Sequence, residues 1–210
     1  MRIEKKIVPA LYIPAHVEKR VYYNFNELPK DKQERIMEEY RKGYDWDFWS
    51  MNMADYMNEI IKSEYFPGIE SLDVSFSLNC CQGDGVSFTG TIPQDKIEDV
   101  LSLVYDGKIP RKIKRIIPFL YEIQFNRKNS HYCHEWTVET IVEDNYNDYT
   151  HDRFLSLCRE IELSVDKYRA DVCKKLEKMG YKDQDYVLSP EGIESYYDGT
   201  EFDEEGNEVA

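Results

Sequence analysis

The sequence predicts an α+β protein: an antiparallel β-sheet built from hairpins, with helices packed mainly on one face. Three observations lead to this class. Apolar residues alternate on both sides of a Gly-Asp-Gly turn at residues 83–85, which predicts a hairpin over residues 72–90. A second pair of alternating segments lies at residues 119–125 and 132–138. Helical patterns stand between the hairpins rather than after every strand, which favours an antiparallel sheet.

The N-terminal third predicts two strands followed by two helices. Residues 6–13 and 20–25 are the predicted strands, and prolines in and after the first predict that it is an edge strand or an irregular arm. Residues 31–41 are rich in helix formers, and Gly43 is the expected stop. The second helix covers residues 47–63. Its expected buried stripe is Trp49, Met53, Tyr56, Met57, Ile60 and Ile61.

Helices also dominate the C-terminal half of the chain. A short amphipathic helix is predicted at residues 94–104, and Thr150 is a suitable cap for a long helix that ends before Gly180. Ser189 followed by Pro190 predicts the start of a last short helix, to about Tyr197. We expect one domain over residues 1–200, with a division into two lobes near residues 106–111 as the alternative. Residues 201–210 are expected to form a flexible acidic tail.

The overall composition excludes several classes of protein. The 210 residues include 27 basic and 41 acidic side chains, and the formal net charge of −14 repels nucleic acid and anionic membrane surfaces. No apolar run approaches the roughly 18 residues of a membrane span, and the N-terminus lacks a signal peptide, so a cytoplasmic protein is expected. Five cysteines, with Cys80 and Cys81 adjacent, do not form a disulfide framework and are expected to be small core residues.

Charge is distributed unevenly along the chain. Residues 183–208 contain ten acidic side chains and no lysine or arginine, whereas residues 108–128 contain seven basic side chains and one acidic. Acidic residues interspersed with tyrosines are suited to a basic protein partner. The candidate partner-binding residues are Glu135, Glu139 and Glu143 on one predicted strand face, together with Asp183, Asp185, Glu191, Glu194, Tyr196, Tyr197 and Asp198.

No catalytic or metal-binding template occurs in the sequence. It has no Walker loop, dinucleotide fingerprint, nucleophile elbow or zinc-protease helix. The spacing of Cys133 and His134 does not suit zinc, because adjacent strand residues point to opposite faces, and no metal or cofactor is expected. An enzymatic alternative uses a nucleotide or second messenger as substrate, with Asp84 or His134 near the chemistry. Its phosphate-contacting residues would be Arg111, Lys112, Lys114 and Arg115.

Five short motifs occur in order along the chain. They are Asn-Phe-Asn-Glu-Leu-Pro at residues 24–29, Tyr-Asp-Trp at 44–46, the turn at 81–88, His-Tyr-Cys-His-Glu-Trp-Thr-Val at 131–138, and Phe-Asp-Glu-Glu-Gly at 202–206. In these motifs the chain resembles a family of small uncharacterised proteins of tailed phages and prophages, sometimes labelled antitoxin-like. The resemblance implies expression inside an infected or lysogenic bacterium and an accessory, counter-defence role.

These observations predict a non-enzymatic phage-type accessory protein. It would bind and inhibit a bacterial nucleic-acid-handling defence protein, as an anti-CRISPR does, through acidic and aromatic surfaces. The partner would offer a groove lined by lysine and arginine, in which carboxylates compete with the charge of DNA. The enzyme described above and an antitoxin-like regulator that binds a toxin are the alternatives, and the sequence leaves the oligomeric state open.

Overall fold

The computed structural model describes residues 2–8, 16–79, 83–128, 131–145 and 152–209. It divides the chain into two compact units. Unit 1 comprises residues 1–46 and 182–210, and unit 2 comprises residues 47–181. Each unit contains helices and an antiparallel sheet, so the predicted α+β class is confirmed.

Unit 1 is a three-stranded sheet accompanied by two helices. Strand β1 (Arg2–Val8) pairs with β2 (His16–Asn24), and β2 pairs on its other side with the short β7 (Glu201–Phe202). Helix α1 spans Lys30–Gly43 and α6 spans Pro190–Tyr196. The buried core of this unit consists of Phe25, Leu28, Ile36, Ile193, Tyr197 and Phe202.

Unit 2 contains a four-stranded sheet in the order β3-β4-β5-β6. The strands are β3 (Asp73–Ser77), β4 (Gly85–Pro93), β5 (Leu120–Arg127) and β6 (Val138–Asp144). The helices are α2 (Trp46–Ile60, continued by one π-helical turn, Ile61–Tyr65), α3 (Ile97–Val104), α4 (Arg111–Lys114) and α5 (Asp152–Val187). The last turns of α5 belong to unit 1. No helix in the described part of the chain is long and apolar enough to cross a membrane.

One face of this sheet is buried and the other is more exposed. Val74 opposes Phe88, and Ile92 opposes Ile123; all four are buried. On the opposite face of β5, alternate polar residues such as Asn126 remain accessible. This arrangement is the alternation that the sequence pattern predicts.

The second hairpin starts later than predicted. Residues 135–137 form a 3-10 turn, and β6 begins only at Val138. The pairing of β6 with β5 begins next to a hydrogen bond in which Lys128 N donates to Thr137 O, at 2.7 Å. The alternation at residues 132–138 therefore does not mark a strand, and the prediction that Cys133 and His134 lie on one was wrong.

Gly180 does not end the long helix, because α5 continues through it to Val187. A β-carbon at Gly180 would lie 2.4 Å from Leu78 Cδ1 and 3.0 Å from Met57 Cε, so this glycine allows close packing instead.

Tyr56, predicted to be buried, is half-exposed. The first strand covers residues 2–8 rather than 6–13; residues 9–13, Cys80, Cys81 and Thr150 lie outside the described residues.

The boundary between the units lies at residues 46/47 and 181/182, not near residues 106–111.

Residues 201–209, expected to be a flexible tail, include β7 with a buried Phe202. Arg35 on α1 fixes the following turn by donating from Nη2 to Glu205 O at 2.7 Å.

Candidate functional site

An acidic cleft of about 600 Å³ lies in unit 1. One wall is the turn that follows β2, and the other is formed by α6 and the residues after it. The lining residues are Asn24, Phe25, Asn26, Glu27, Glu191, Glu194, Ser195, Tyr197, Asp198 and Gly199.

Local hydrogen bonds fix both walls of the cleft. Glu27 accepts from the backbone N–H of Asn24 at 3.0 Å, which closes the turn after β2. On the other side, Ser189 Oγ caps α6 by accepting from Gly192 N at 3.0 Å, and Pro190 occupies the first helical position. These hydrogen bonds hold Glu27 on one wall and the first turn of α6 on the other.

The floor of the cleft is aromatic. The rings of Phe25 and Tyr197 stack with centroids 5.7 Å apart and an angle of 15° between their planes, and both side chains are buried. Phe202 packs against the Tyr197 ring at 5.4 Å. Burial raises the pKa of Tyr197 to about 12, so its phenol stays neutral at physiological pH.

Four exposed carboxylates, Glu27, Glu191, Glu194 and Asp198, surround this floor. The hydrogen bond from the Asn24 N–H lowers the pKa of Glu27, so that group stays ionised. Asn26 Nδ2 donates to Glu194 Oε1 at 2.6 Å and joins the two walls. The residues that line the cleft include no lysine or arginine, so the ionised side chains of the lining are all negative.

This arrangement suits an organic cation. An aromatic face attracts a guanidinium or ammonium group, and surrounding carboxylates accept charge-assisted hydrogen bonds from it. In the described part of the chain, no three His, Cys, Asp or Glu side chains come together in a way that could hold a metal ion. Histidine and cysteine are missing from the lining as well. Its polar side-chain groups are four carboxylates, two amides, the hydroxyl of Ser195 and the phenol of Tyr197.

Tyrosines extend the aromatic surface beyond the cleft. Tyr196, 64 % exposed, contacts the ring of Tyr197 at 5.0 Å and that of Tyr40 at 4.8 Å. Tyr40 in turn packs against Tyr44, whose pKa burial raises to about 12. Large and rigid aromatic side chains of this kind anchor protein interfaces at little cost in conformational entropy.

The structure brings together five of the residues predicted to bind a partner. Glu191, Glu194, Tyr197 and Asp198 line the cleft, and Tyr196 lies beside it. Two others, Asp183 and Asp185, belong to the last turns of α5 and are not among the lining residues.

The sequence pattern predicted one strand face for three glutamates, Glu135, Glu139 and Glu143. The structure does not place all three on that face. Glu135 lies in the 3-10 turn before β6, where its carboxylate pairs with His134 Nδ1 at 2.5 Å and with Lys174 Nζ at 3.7 Å. Glu139 pairs with Lys128 at 3.7 Å in a separate cleft of about 270 Å³. Only Glu143 is exposed on β6 without a charged partner among the described residues, and it lies opposite Glu122.

The residues of the enzymatic alternative are largely engaged with neighbouring side chains. Lys112 pairs with Glu160 at 2.6 Å, and Lys114 lies 3.9 Å from Glu98. Arg111 and Arg115 are exposed at the two ends of the short α4.

The turn between β3 and β4 and the segment containing His134 do meet in unit 2. A β-carbon at Gly85 would lie 3.4 Å from the His134 ring. Asp84 is nevertheless buried, and it accepts hydrogen bonds from Ser77 Oγ at 2.8 Å and Asn79 N at 2.7 Å. Its carboxylate therefore stabilises the turn.

Sequence reasoning missed the wall formed by Asn24, Asn26 and Glu27. The Asn-x-x-Glu spacing at residues 24–27 is a capping-box pattern and identifies a rigid turn. It does not reveal that this turn faces α6, about 170 residues later in the chain.

No protein-family model, curated protein or solved structure matches this chain.

Proposed function

We propose that this chain is a non-enzymatic binding protein whose acidic cleft accepts a lysine or arginine side chain of a basic protein partner. The observation that supports this function best is the ring of four carboxylates around the Phe25 and Tyr197 floor, with no basic lining residue. An inserted guanidinium would lie over the aromatic floor and donate hydrogen bonds to Glu191 or Glu194.

The partner that suits this chemistry is a bacterial nucleic-acid-handling defence protein with a basic groove. The net charge of −14 favours association with such a groove, and the motifs that resemble phage proteins support a counter-defence role. Binding would be stoichiometric and would exclude DNA or RNA from the groove, as an anti-CRISPR does. In this function the protein acts inside the infected cell and contacts neither nucleic acid nor membrane directly.

The test is inhibition of purified CRISPR effector nucleases and restriction enzymes, measured as DNA cleavage against the ratio of this chain to nuclease. We expect inhibition that saturates near one chain per nuclease and weakens as salt rises. The double variant E191Q/E194Q should weaken inhibition by about tenfold or more, because two charge-assisted contacts are lost. The isosteric glutamines preserve the hydrogen bond from Asn26.

The matched control is E34Q/E204Q, which removes the same charge from exposed positions of unit 1 outside the cleft lining. It should inhibit like the unmodified chain. Inhibition that both double variants retain fully, or that is insensitive to salt, would contradict the proposal. If no nuclease is inhibited, titration with N-acetyl-arginine amide followed by NMR decides whether the cleft binds a guanidinium. A cleft that binds it without inhibiting any nuclease would favour the antitoxin-like alternative.

A further inference from the structure

Helix α2 in unit 2 carries large apolar side chains on its outer face. Phe48 is 62 % exposed, Met51 is 68 % exposed and Tyr56 is 52 % exposed. Their spacing of three and eight residues from Phe48 places them on the same side of an α-helix. The inner side of α2 is formed by Trp49, Met53 and Met57, which are all buried, so the outer residues are not needed for the core.

Acidic residues accompany this apolar stripe. Asp55 and Glu59 follow Phe48 at seven and eleven residues, which places them on the same side of the helix, and Asp47 lies at its start. All three are exposed. The helix contains no lysine or arginine, and among the described residues these carboxylates have no basic partner. The outer face of α2 is therefore both apolar and negatively charged.

We propose that the outer face of α2 is a docking surface for a basic amphipathic helix of a protein partner. The apolar side of that helix would cover Met51 and Tyr56, and lysines or arginines at its edges would reach Asp55 and Glu59. A helix that docks on an apolar surface commonly does so through its own apolar side chains, spaced by three or four residues. Methionine adapts its shape to different partners, which suits such a surface.

Charge complementarity indicates which kind of partner binds the outer face of α2. In a twofold contact with a second copy, the acidic residues of one α2 would face the same residues of the other, and the like charges would repel. An anionic lipid surface is disfavoured for the same reason. A basic helix gains from both properties of the face, the apolar area and the uncompensated carboxylates.

This surface is separate from the cleft of the proposed function, since α2 residues 47–60 belong to unit 2 and the cleft is lined by residues of unit 1. The two can therefore be tested independently. A variant altered only in the cleft should retain full binding at α2, and the reverse should also hold.

The probe is a fluorescein-labelled amphipathic helical peptide of leucine and lysine, about fourteen residues long, titrated with the full chain at low salt and followed by fluorescence anisotropy. We expect saturable binding that M51S/Y56S weakens at least tenfold and that D55N/E59Q weakens about fivefold. L155S/L163S, which alters exposed leucines of α5 in the same unit, should bind like the unmodified chain. So should the cleft variant E191Q/E194Q.

A peptide of identical composition whose order abolishes the apolar stripe should bind at least tenfold more weakly. The proposal is overturned by three results: no binding of the amphipathic peptide, equal binding of the reordered peptide, or binding unchanged in both α2 variants. Concentration-dependent dimerisation in sedimentation that M51S/Y56S abolishes would also overturn it, because a second copy would then be the occupant. The fold of each variant is checked by circular dichroism. If M51S/Y56S does not fold, peptide binding by D55N/E59Q tests the proposal.

Discussion

Arg169 Nη2 donates a hydrogen bond of 2.8 Å to Asp166 Oδ1, one turn earlier on α5, although the Arg169 side chain is only 1 % exposed. The same nitrogen also contacts two backbone carbonyls near the start of β6, Glu135 O at 2.7 Å and Val138 O at 3.1 Å. A single buried guanidinium thus fastens the edge strand of the sheet in unit 2 to its longest helix.

Replacing Arg169 by lysine should destabilise the protein by about 2–4 kcal/mol. The lysine side chain is one atom shorter, so its ammonium does not reach the position of Nη2, the nitrogen that contacts the carboxylate and the two carbonyls. Buried acceptors are then left unpaired. The free energy of unfolding in urea measures the loss. The control is R159K, because Arg159 is exposed and pairs with Glu162 on its own helix, and the loss of stability in this variant should stay below about 0.5 kcal/mol. Equal stability of R169K and R159K would contradict this role.

The elements that sequence patterns predicted well are those with local determinants. The start of α6 followed from Ser189 and Pro190, and both features act within one helical turn. The first hairpin followed from strict alternation around the Gly-Asp-Gly turn, and its register pairs Val74 with Phe88 as a buried face requires.

The features that were missed depend on distant parts of the chain. The sequence pattern of α5 gave no sign that Arg169 is buried, because its hydrogen bonds reach carbonyls 31 and 34 residues away. The cleft joins Asn26 to Glu194, 168 residues apart, so the sequence could identify its acidic wall but not the wall opposite. Neither relationship leaves a periodic signal in one short segment.

The position of α6 beside the cleft depends on close packing at Gly192. A β-carbon there would lie 2.0 Å from Tyr186 O and 2.9 Å from Tyr186 C, and these are backbone atoms that cannot rotate away. We expect Gly192→Ala to destabilise the protein by about 2–3 kcal/mol, since an overpacked site forces the backbone to shift. Thermal and urea unfolding measure this change, and the cleft should bind N-acetyl-arginine amide more weakly in the same variant.

The control for Gly192 is Gly43→Ala at the end of α1, where a β-carbon would meet no atom within 4 Å. This substitution should be neutral or stabilising by up to about 1 kcal/mol. A Gly192→Ala protein as stable as the Gly43→Ala protein would show that α6 is not held by this contact.

Two buried cysteines should be chemically inert in the native protein. Burial raises the pKa of Cys158 to about 11 and that of Cys173 to about 12. At pH 8 roughly one Cys158 in a thousand is then a thiolate, the reactive form. In the variant C80S/C81S/C133S, which retains only these two, a disulfide reagent such as DTNB should react fully in urea and negligibly in native buffer. Rapid reaction of the native variant would show that this part of α5 opens readily.

Asp203 should make the stability of unit 1 depend on pH in the acidic range. Its carboxylate accepts from Asn207 Nδ2 at 3.0 Å and from Asn207 N at 2.8 Å, and these hydrogen bonds, the side-chain one foremost, lower its pKa below the ordinary value of 3.8. Because the folded pKa is lower than the unfolded one, the stabilisation is fully present above the ordinary value and disappears as the pH falls through the folded pKa.

Asn207→Ala should therefore raise the pKa of Asp203 toward 3.8 and lower the melting temperature at neutral pH, with the gap to the unmodified protein closing as the solution is acidified. Carboxyl NMR titration and melting curves between neutral pH and about pH 2.5 measure the two effects. Asn52→Ala, which removes an exposed amide from α2, should leave the pKa of Asp203 unchanged. A gap between the Asn207→Ala and unmodified proteins that widens on acidification would have the wrong sign for this mechanism, because the lost hydrogen bond stabilises only the ionised carboxylate.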